Sequence, residues 1–285
     1  MSQFWTDENG MIGRITNTGS TQRIRPKKLA RISDGHNVIH EVPTVWDQTF
    51  EQEYDQADSG FPRLVEWLSD LAAPRPISGR MPVYEPRNIS DAVIDLFAQG
   101  LASLALRSPR YRDYAVSLAI RLRGPLEKAE RKKITNINIR GKQADLAKVL
   151  KRNSKVAVYF SPQGEFIYGD GFYQTVPVSD VDQSPGLRIL VPVTPQYAVF
   201  LVCPSKYRID PKFVISSASS EVVKLINDTM QIYSGFELFF KGSTPQLSEH
   251  FRAGKYLSYN EPDPIQNLSY TIPGVIRSKV YRAGF

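Results

Sequence analysis

Two periods of apolar residues run along this chain, a helical one in the first half and an alternating or continuous one in the second. Val93, Ile94, Leu96, Phe97, Leu101, Leu104, Ala105 and Leu106 recur at helical spacing behind Ser90 and Asp91, which have the right chemistry to cap a helix start. Apolar residues fall on nearly every side of that segment, so it is predicted to lie at the centre of a helical layer. Arg107-Ser-Pro-Arg110 breaks the pattern, and a further helix is predicted from Tyr111 to Arg123, stopped by Gly124-Pro125. A third helical piece starts at Leu126, loses its period at Thr135-Asn-Ile-Asn-Ile-Arg-Gly141 and recovers from Ala144 to Leu150. Upstream, Gln48 to Ala73 reads as an acidic helical region interrupted near Ser59-Gly-Phe-Pro62, and Ala73 to Pro86 as a proline-rich connector.

From Lys155 the period changes. Lys155-Val-Ala-Val-Tyr-Phe160, Glu165-Phe-Ile-Tyr168, Leu187 to Val193 and Gln196 to Cys203 are short β-branched and aromatic runs bounded by Pro and Gly turns. They read as two strand pairs, the first closed by the Pro162/Gly164 turn. Ser219 then opens a helix through Val222, Val223, Ile226, Met230 and Tyr233 that Gly235 ends. Gly10 to Gly19 adds a strand and turn near the start. The tail after Gly254 carries too many prolines for a central strand or helix and is predicted to be extended, pinned by Tyr256, Leu257, Leu268, Tyr270 and Ile272. The implied fold is α+β, one domain in which a mainly helical half (1–153) covers a mainly antiparallel sheet with its helix (154–254), followed by the tail (255–285).

Composition narrows the class of protein. A chain of 285 residues with 41% hydrophobic content is long enough to bury a sizeable core. No apolar run approaches the roughly 18 residues that span a bilayer, and the first residues lack the basic and apolar regions of a signal peptide, so the expectation is a soluble cytoplasmic protein. Charge is the most unevenly distributed property. Between Arg107 and Lys155 fifteen Lys or Arg face four acids, a balance of +11 in a chain whose total is +7. A basic helical block of this size attracts phosphate backbones or an acidic partner, and Arg121, Arg123, Arg131, Lys132, Lys133 and Arg140 are its candidate nucleic-acid contacts. The bland reading is that the block balances the acids Asp47 to Asp58; Tyr111 and Tyr114 are its only stacking residues.

Candidate chemistry elsewhere is sparse. His36 and His40 share a spacing that suits metal on a helix, but Asp34-Gly35 favours a turn. Glu51 and Asp55 sit four apart, a spacing that suits a divalent cation and is expected also of acids at a helix start. The single cysteine, Cys203, lies inside an apolar strand and reads as a small buried hydrophobe. Asp170, between two glycines at a strand end, is a carboxylate suited to metal binding or general base work, and Gly-Asp-Gly is equally a common turn. No P-loop, dinucleotide fingerprint, nucleophile elbow or zinc-protease motif occurs, so no cofactor is indicated.

Several of these segments, in this order, resemble an uncharacterised bacterial family, domain of unknown function 4238. They are Phe166-Ile-Tyr-Gly-Asp170, Val191-Pro-Val-Thr-Pro195 with Tyr197 to Leu201, and Val223-Lys-Leu-Ile-Asn227 with Tyr233, and Leu106-Arg-Ser-Pro109 is similar to that family's helix break. Two departures stand out: the family's Asp-Asn-Pro reads Asp170-Gly-Phe172 here, and its opening His-Tyr-Val-Pro segment would fall before Met1. If the histidine of that segment serves activity, an inactive or shortened form is expected. The resemblance implies a setting in bacteria and mobile elements, with some members tied to defence against phage, and it carries Arg107, Asp170 and Asn227 over as candidate catalytic residues. An arginine, a carboxylate and an amide meeting in a cleft suit phosphodiester chemistry or phosphate recognition; they equally suit a polar network that locks sheet to helix. Two functions are therefore expected: a nucleic-acid-interacting effector, or a non-catalytic interaction protein whose basic block docks an acidic partner. Neither oligomeric state nor substrate is legible.

Overall fold

A computed structural model describes residues 2–26, 54–77, 79–139, 142–177, 186–204, 211–254 and 263–275. After a 3-10 turn at Ser2–Trp5, strands β1 (Ile12–Thr16) and β2 (Thr21–Ile24) form a hairpin. Helix α1 (Asp55–Ser69) and the two-residue strand β3 (Glu85–Pro86) precede four consecutive helices: α2 (Asp91–Arg107), α3 (Pro109–Arg123), α4 (Lys128–Ile139) and α5 (Lys142–Asn153). Then come β4 (Lys155–Phe160), β5 (Tyr168–Gly169), β6 (Tyr173–Gln174), β7 (Arg188–Pro192), β8 (Tyr197–Val202) and β9 (Phe213–Ser217). The described chain closes with α6 (Ser220–Tyr233), β10 (Glu237–Phe240), α7 (Glu249–Arg252) and α8 (Gln266–Ser269). This is an α+β fold, as the change of period predicts.

Two sheets take the place of the one expected. A six-stranded sheet runs β3-β9-β4-β8-β7-β6, antiparallel except for the parallel pair β4/β9, and a four-stranded antiparallel sheet runs β2-β1-β10-β5. The β7/β8 hairpin matches the sequence reading. The predicted pairing of Lys155–Phe160 with Glu165–Tyr168 does not form: β4 lies between β8 and β9, whereas Tyr168 and Gly169 cross to β10. The reason is burial. Every residue of β8 and all but the last of β4 are buried, the mark of central strands covered on both faces, which need a partner on each side.

Among the helices, Ser90 caps α2 and Ser108 caps α3, each side-chain oxygen accepting a backbone N–H, and Gly124 ends α3 at φ 85°, a conformation that suits glycine. Helix α2 packs on α1, α3 and α5, the central position expected of it. One predicted interruption is absent and one is narrower than expected. Pro62 lies inside a continuous α1, and α4 runs on to Ile139 through most of the segment whose period fades, before α5 starts at Lys142. Gly60 beside Pro62 explains the first case, because it lets α1 approach Leu96 of α2 so closely that even a methyl group would reach contact. Packing on α2 outweighs the one hydrogen bond that Pro62 removes.

The tail also differs from the extended chain expected. Asp263 Oδ1 accepts the Ile265 N–H at 3.1 Å and starts the short turn of α8, while Ile265, Leu268 and Ile272 are buried. Polar anchors hold it as well. Tyr173 Oη donates to Asp263 at 2.6 Å, Arg188 pairs with the same carboxylate at 3.0 Å, and Tyr84 Oη bonds both Tyr159 Oη and Thr271 Oγ1. Tyr256 and Leu257 lie outside the described residues. One hydrophobic cluster joins Leu64 of α1, Leu101 of α2, Phe200 of β8, Ile226 of α6, Leu238 of β10 and Ile272 of the tail, so the described elements share a core.

Candidate functional site

Asp170 owes its position to the glycines on either side. A Cβ on Gly169 would collide with Ser234 Oγ, and one on Gly171 with the Tyr233 carbonyl oxygen, so only glycine lets this segment lie against the end of α6. With the backbone that close, Asp170 Oδ1 accepts the Gly235 N–H at 2.9 Å and Oδ2 the Phe236 N–H at 3.0 Å, and the Asp170 N–H donates to the Glu237 carbonyl at 3.1 Å. The carboxylate thus clamps the turn that ends α6 and starts β10. Burial lifts its pKa from 3.8 to about 6, against the opposing pull of the two N–H groups, and the nearby Glu237 carboxylate pushes the same way as burial.

Asn227, on α6, performs a second clamp. Its Oδ1 accepts the Ile167 N–H at 3.1 Å and its Nδ2 donates to the Glu165 carbonyl at 2.9 Å, so one amide holds two backbone groups of the segment leading into β5. Arg107 performs a third job at the end of α2. Its guanidinium forms a two-pronged pair with Asp58 of α1, donates to Ser103 Oγ, and lies 4.7 Å over the Tyr54 ring. The three residues expected to meet in one cleft are therefore bonded to three separate sets of partners. Asn227 lines a cleft of about 980 Å³ between α6 and residues 241–250, whose lining includes Lys224, Lys241 and His250 but neither Asp170 nor Arg107. Asp170 and Asn227 each tie the segment around β5 to α6 or its end, whereas Arg107 ties α2 to α1, so the trio forms neither one cleft nor one network.

The candidate nucleic-acid contacts are distributed over a helical hairpin. Tyr111, Ala115 and Val116 root α3 in the core, and Thr135 is the first residue of α4 among those whose burial is described to be buried. Between 117 and 134 no residue whose burial is described is buried, so the far end of α3, the Gly124-Pro125 turn and the near end of α4 form an arm that lies outside the core. Six Lys or Arg and two acids fall in that stretch, a net charge of +4. Arg123 pairs with Glu130 at 2.9 Å and Arg131 with Asp113 at 2.5 Å, ion pairs that lie within α3 and α4 themselves. Arg121 and Lys133 are exposed and have no ion pair among the described residues. Leu122 stands beside them, 76% exposed. Lys132 belongs to α4, and Arg140 lies outside the described residues.

Other candidates resolve simply. Cys203 is buried and its thiol is pushed up to about 12 by that burial, which suits a core residue and not a nucleophile. His36, His40 and Glu51 lie outside the described residues, and Asp55 opens α1 as an exposed first-turn acid. Among the described residues no group of three or more His, Cys, Asp or Glu is placed to hold a metal, and no helix is long and apolar enough to cross a membrane.

Sequence reasoning passed over one feature, a basic cleft of about 750 Å³ between the start of α2 and the end of α5, lined by Lys148, Lys151, Arg152 and Lys212. Three of these cations belong to the block already counted, but Lys212 joins them only through the fold. Comparison of the chain with known protein families, curated proteins and solved structures finds no match.

Proposed function

We propose that the protein binds nucleic acid through the α3–α4 arm, reading phosphate charge and not base sequence. The observation that carries this reading is the arm itself, a helical hairpin end with a net charge of +4 and no described buried residue between 117 and 134. A segment that contributes nothing to the core has no packing reason to concentrate cations, and exposed ones attract a nucleic-acid backbone. Base readout is not part of the proposal, because the arm between 117 and 134 carries no aromatic residue for stacking. No reaction is assigned, since Asp170, Asn227 and Arg107 are each committed to holding backbone or a neighbouring helix. The defence setting belongs to the family resemblance alone and adds no residue to this reading.

Exposed Leu122, at the end of α3, favours a second reading in which an acidic protein partner covers the arm, because an apolar side chain among cations suits a protein surface better than a phosphate backbone. Anisotropy of a labelled duplex separates the two. Binding at low salt that weakens on a log-log slope of about −0.9 per phosphate neutralised supports nucleic acid. Absence of any binding at low salt transfers support to the acidic partner.

A further inference from the structure

We infer that Asp113 and Glu130 set the affinity of the arm, each holding an arginine that would otherwise take a phosphate, so that a duplex meets the arm with two of its contacts masked. The inference rests on the arm reading and adds its regulation. Arg123 Nη1 donates to Glu130 Oε1 at 2.9 Å, and Arg131 Nη2 to Asp113 Oδ1 at 2.5 Å. One arginine ends α3 and takes its acid from the first turn of α4; the other belongs to α4 and takes its acid from α3. All four side chains keep between 41% and 70% exposure, so a polyanion in solvent reaches the same guanidinium groups.

The pairs have little to do for the fold. Exposed ion pairs add little to stability, and each helix end is served by one member alone, Arg123 in the last turn of α3 and Glu130 in the first turn of α4. What the pairs change is the charge open to a ligand. A carboxylate and a phosphate offer a guanidinium the same oxygen acceptors, so a phosphate gains Arg123 or Arg131 only by displacing an acid that then stays beside it and repels it. A cation already neutralised by the protein also adds little to counterion release, the term that drives duplex binding. Arg121 and Lys133 are exposed and have no ion pair among the described residues, so they are the contacts ready at first encounter. Glu127 is the natural comparison, an exposed acid of the same arm that holds no ion pair among the described residues.

Anisotropy of a labelled duplex at increasing salt tests this in the full chain. Asp113→Asn/Glu130→Gln is expected to bind at least about tenfold more tightly at about 100 mM salt, on a log-log slope steeper by about two units, while Glu127→Gln keeps the parent's slope. Replacing the arginines supplies a second reading. Arg123→Gln/Arg131→Gln should leave the parent's slope nearly unchanged, yet remove the whole gain when combined with Asp113→Asn/Glu130→Gln. That result ties the gain to the two guanidinium groups and not to the loss of two negative charges. A correctly folded Asp113→Asn/Glu130→Gln with the parent's slope overturns the inference, as does an Arg123→Gln/Arg131→Gln that flattens the slope as much as Arg121→Gln/Lys133→Gln does. Either result leaves the arm reading standing, because that reading is tested by Arg121→Gln/Lys133→Gln; absence of duplex binding in every one of these proteins overturns both.

Discussion

Replacing Asp170 by Asn tests whether the Gly-Asp-Gly turn is a clamp whose charge is held at a cost. In the folded chain the carboxyl keeps its proton up to about pH 6, whereas its ordinary value is 3.8. Raising the pH through that window strips the unfolded chain of its proton first, so stability from this group is complete below pH 3.8 and is lost by the time the pH passes about 6. The lift corresponds to about 3 kcal/mol, of which about 2 falls between about pH 4.5 and 7.5. Asn at this position has the same shape and its Oδ1 accepts from the buried Gly235 N–H, but its Nδ2 meets the Phe236 N–H donor to donor, a cost that does not change with pH. It removes the ionisation while keeping one of the two clamp bonds. Urea denaturation of both proteins at the two pH values is therefore expected to show Asp170→Asn gaining about 2 kcal/mol on its parent at the higher pH. Asp170→Ala, which leaves the Gly235 N–H without its acceptor, should lie below Asn by about 1 to 3 kcal/mol at both. A parent-to-Asn difference that stays flat, or that moves in the parent's favour as the pH rises, would refute the reasoning.

Three further substitutions, at two positions, probe the same locking contacts. Asn227→Ala strips the Ile167 N–H and Glu165 carbonyl of their shared partner and should cost about 1 to 3 kcal/mol by denaturation, with Asn227→Asp costing more at neutral pH because an oxygen then faces the Glu165 carbonyl. Gly171→Ala should be more damaging than either, because its Cβ meets backbone that cannot move without displacing the end of α6; wild-type thermal stability in that variant would contradict the packing described.

Local chemistry was legible in the sequence and long-range pairing was not. Ser90, Ser219, Gly124 and the strand residues 197–202 act within a few positions of themselves, so their caps, stops and continuous apolar run can be read directly. The partner of Lys155–Phe160 could not be read, because a parallel neighbour more than fifty positions away leaves no local turn signal. Tertiary packing likewise carried α1 through Pro62 and α4 past Thr135. Asp170 and Asn227 were visible as polar residues in a turn and on a helix. What they bind was not, because their partners are backbone atoms brought close by glycines and by the end of α6. Lys212 joins the basic cleft for the same reason: charge can be counted along the chain, but convergence is a property of the fold.

The central claim, that the arm reads phosphate charge, is tested most directly by the salt dependence of duplex binding in Arg121→Gln/Lys133→Gln against the parent. Both side chains are exposed, lie outside the arm's own ion pairs among the described residues, and support no packing, so the fold and its melting temperature should be unchanged. Anisotropy between about 50 and 200 mM salt is expected to give a slope flatter than the parent's by about two units, with affinity lost to a similar degree on duplexes of unrelated sequence. A slope equal to the parent's in a correctly folded variant would contradict the claim.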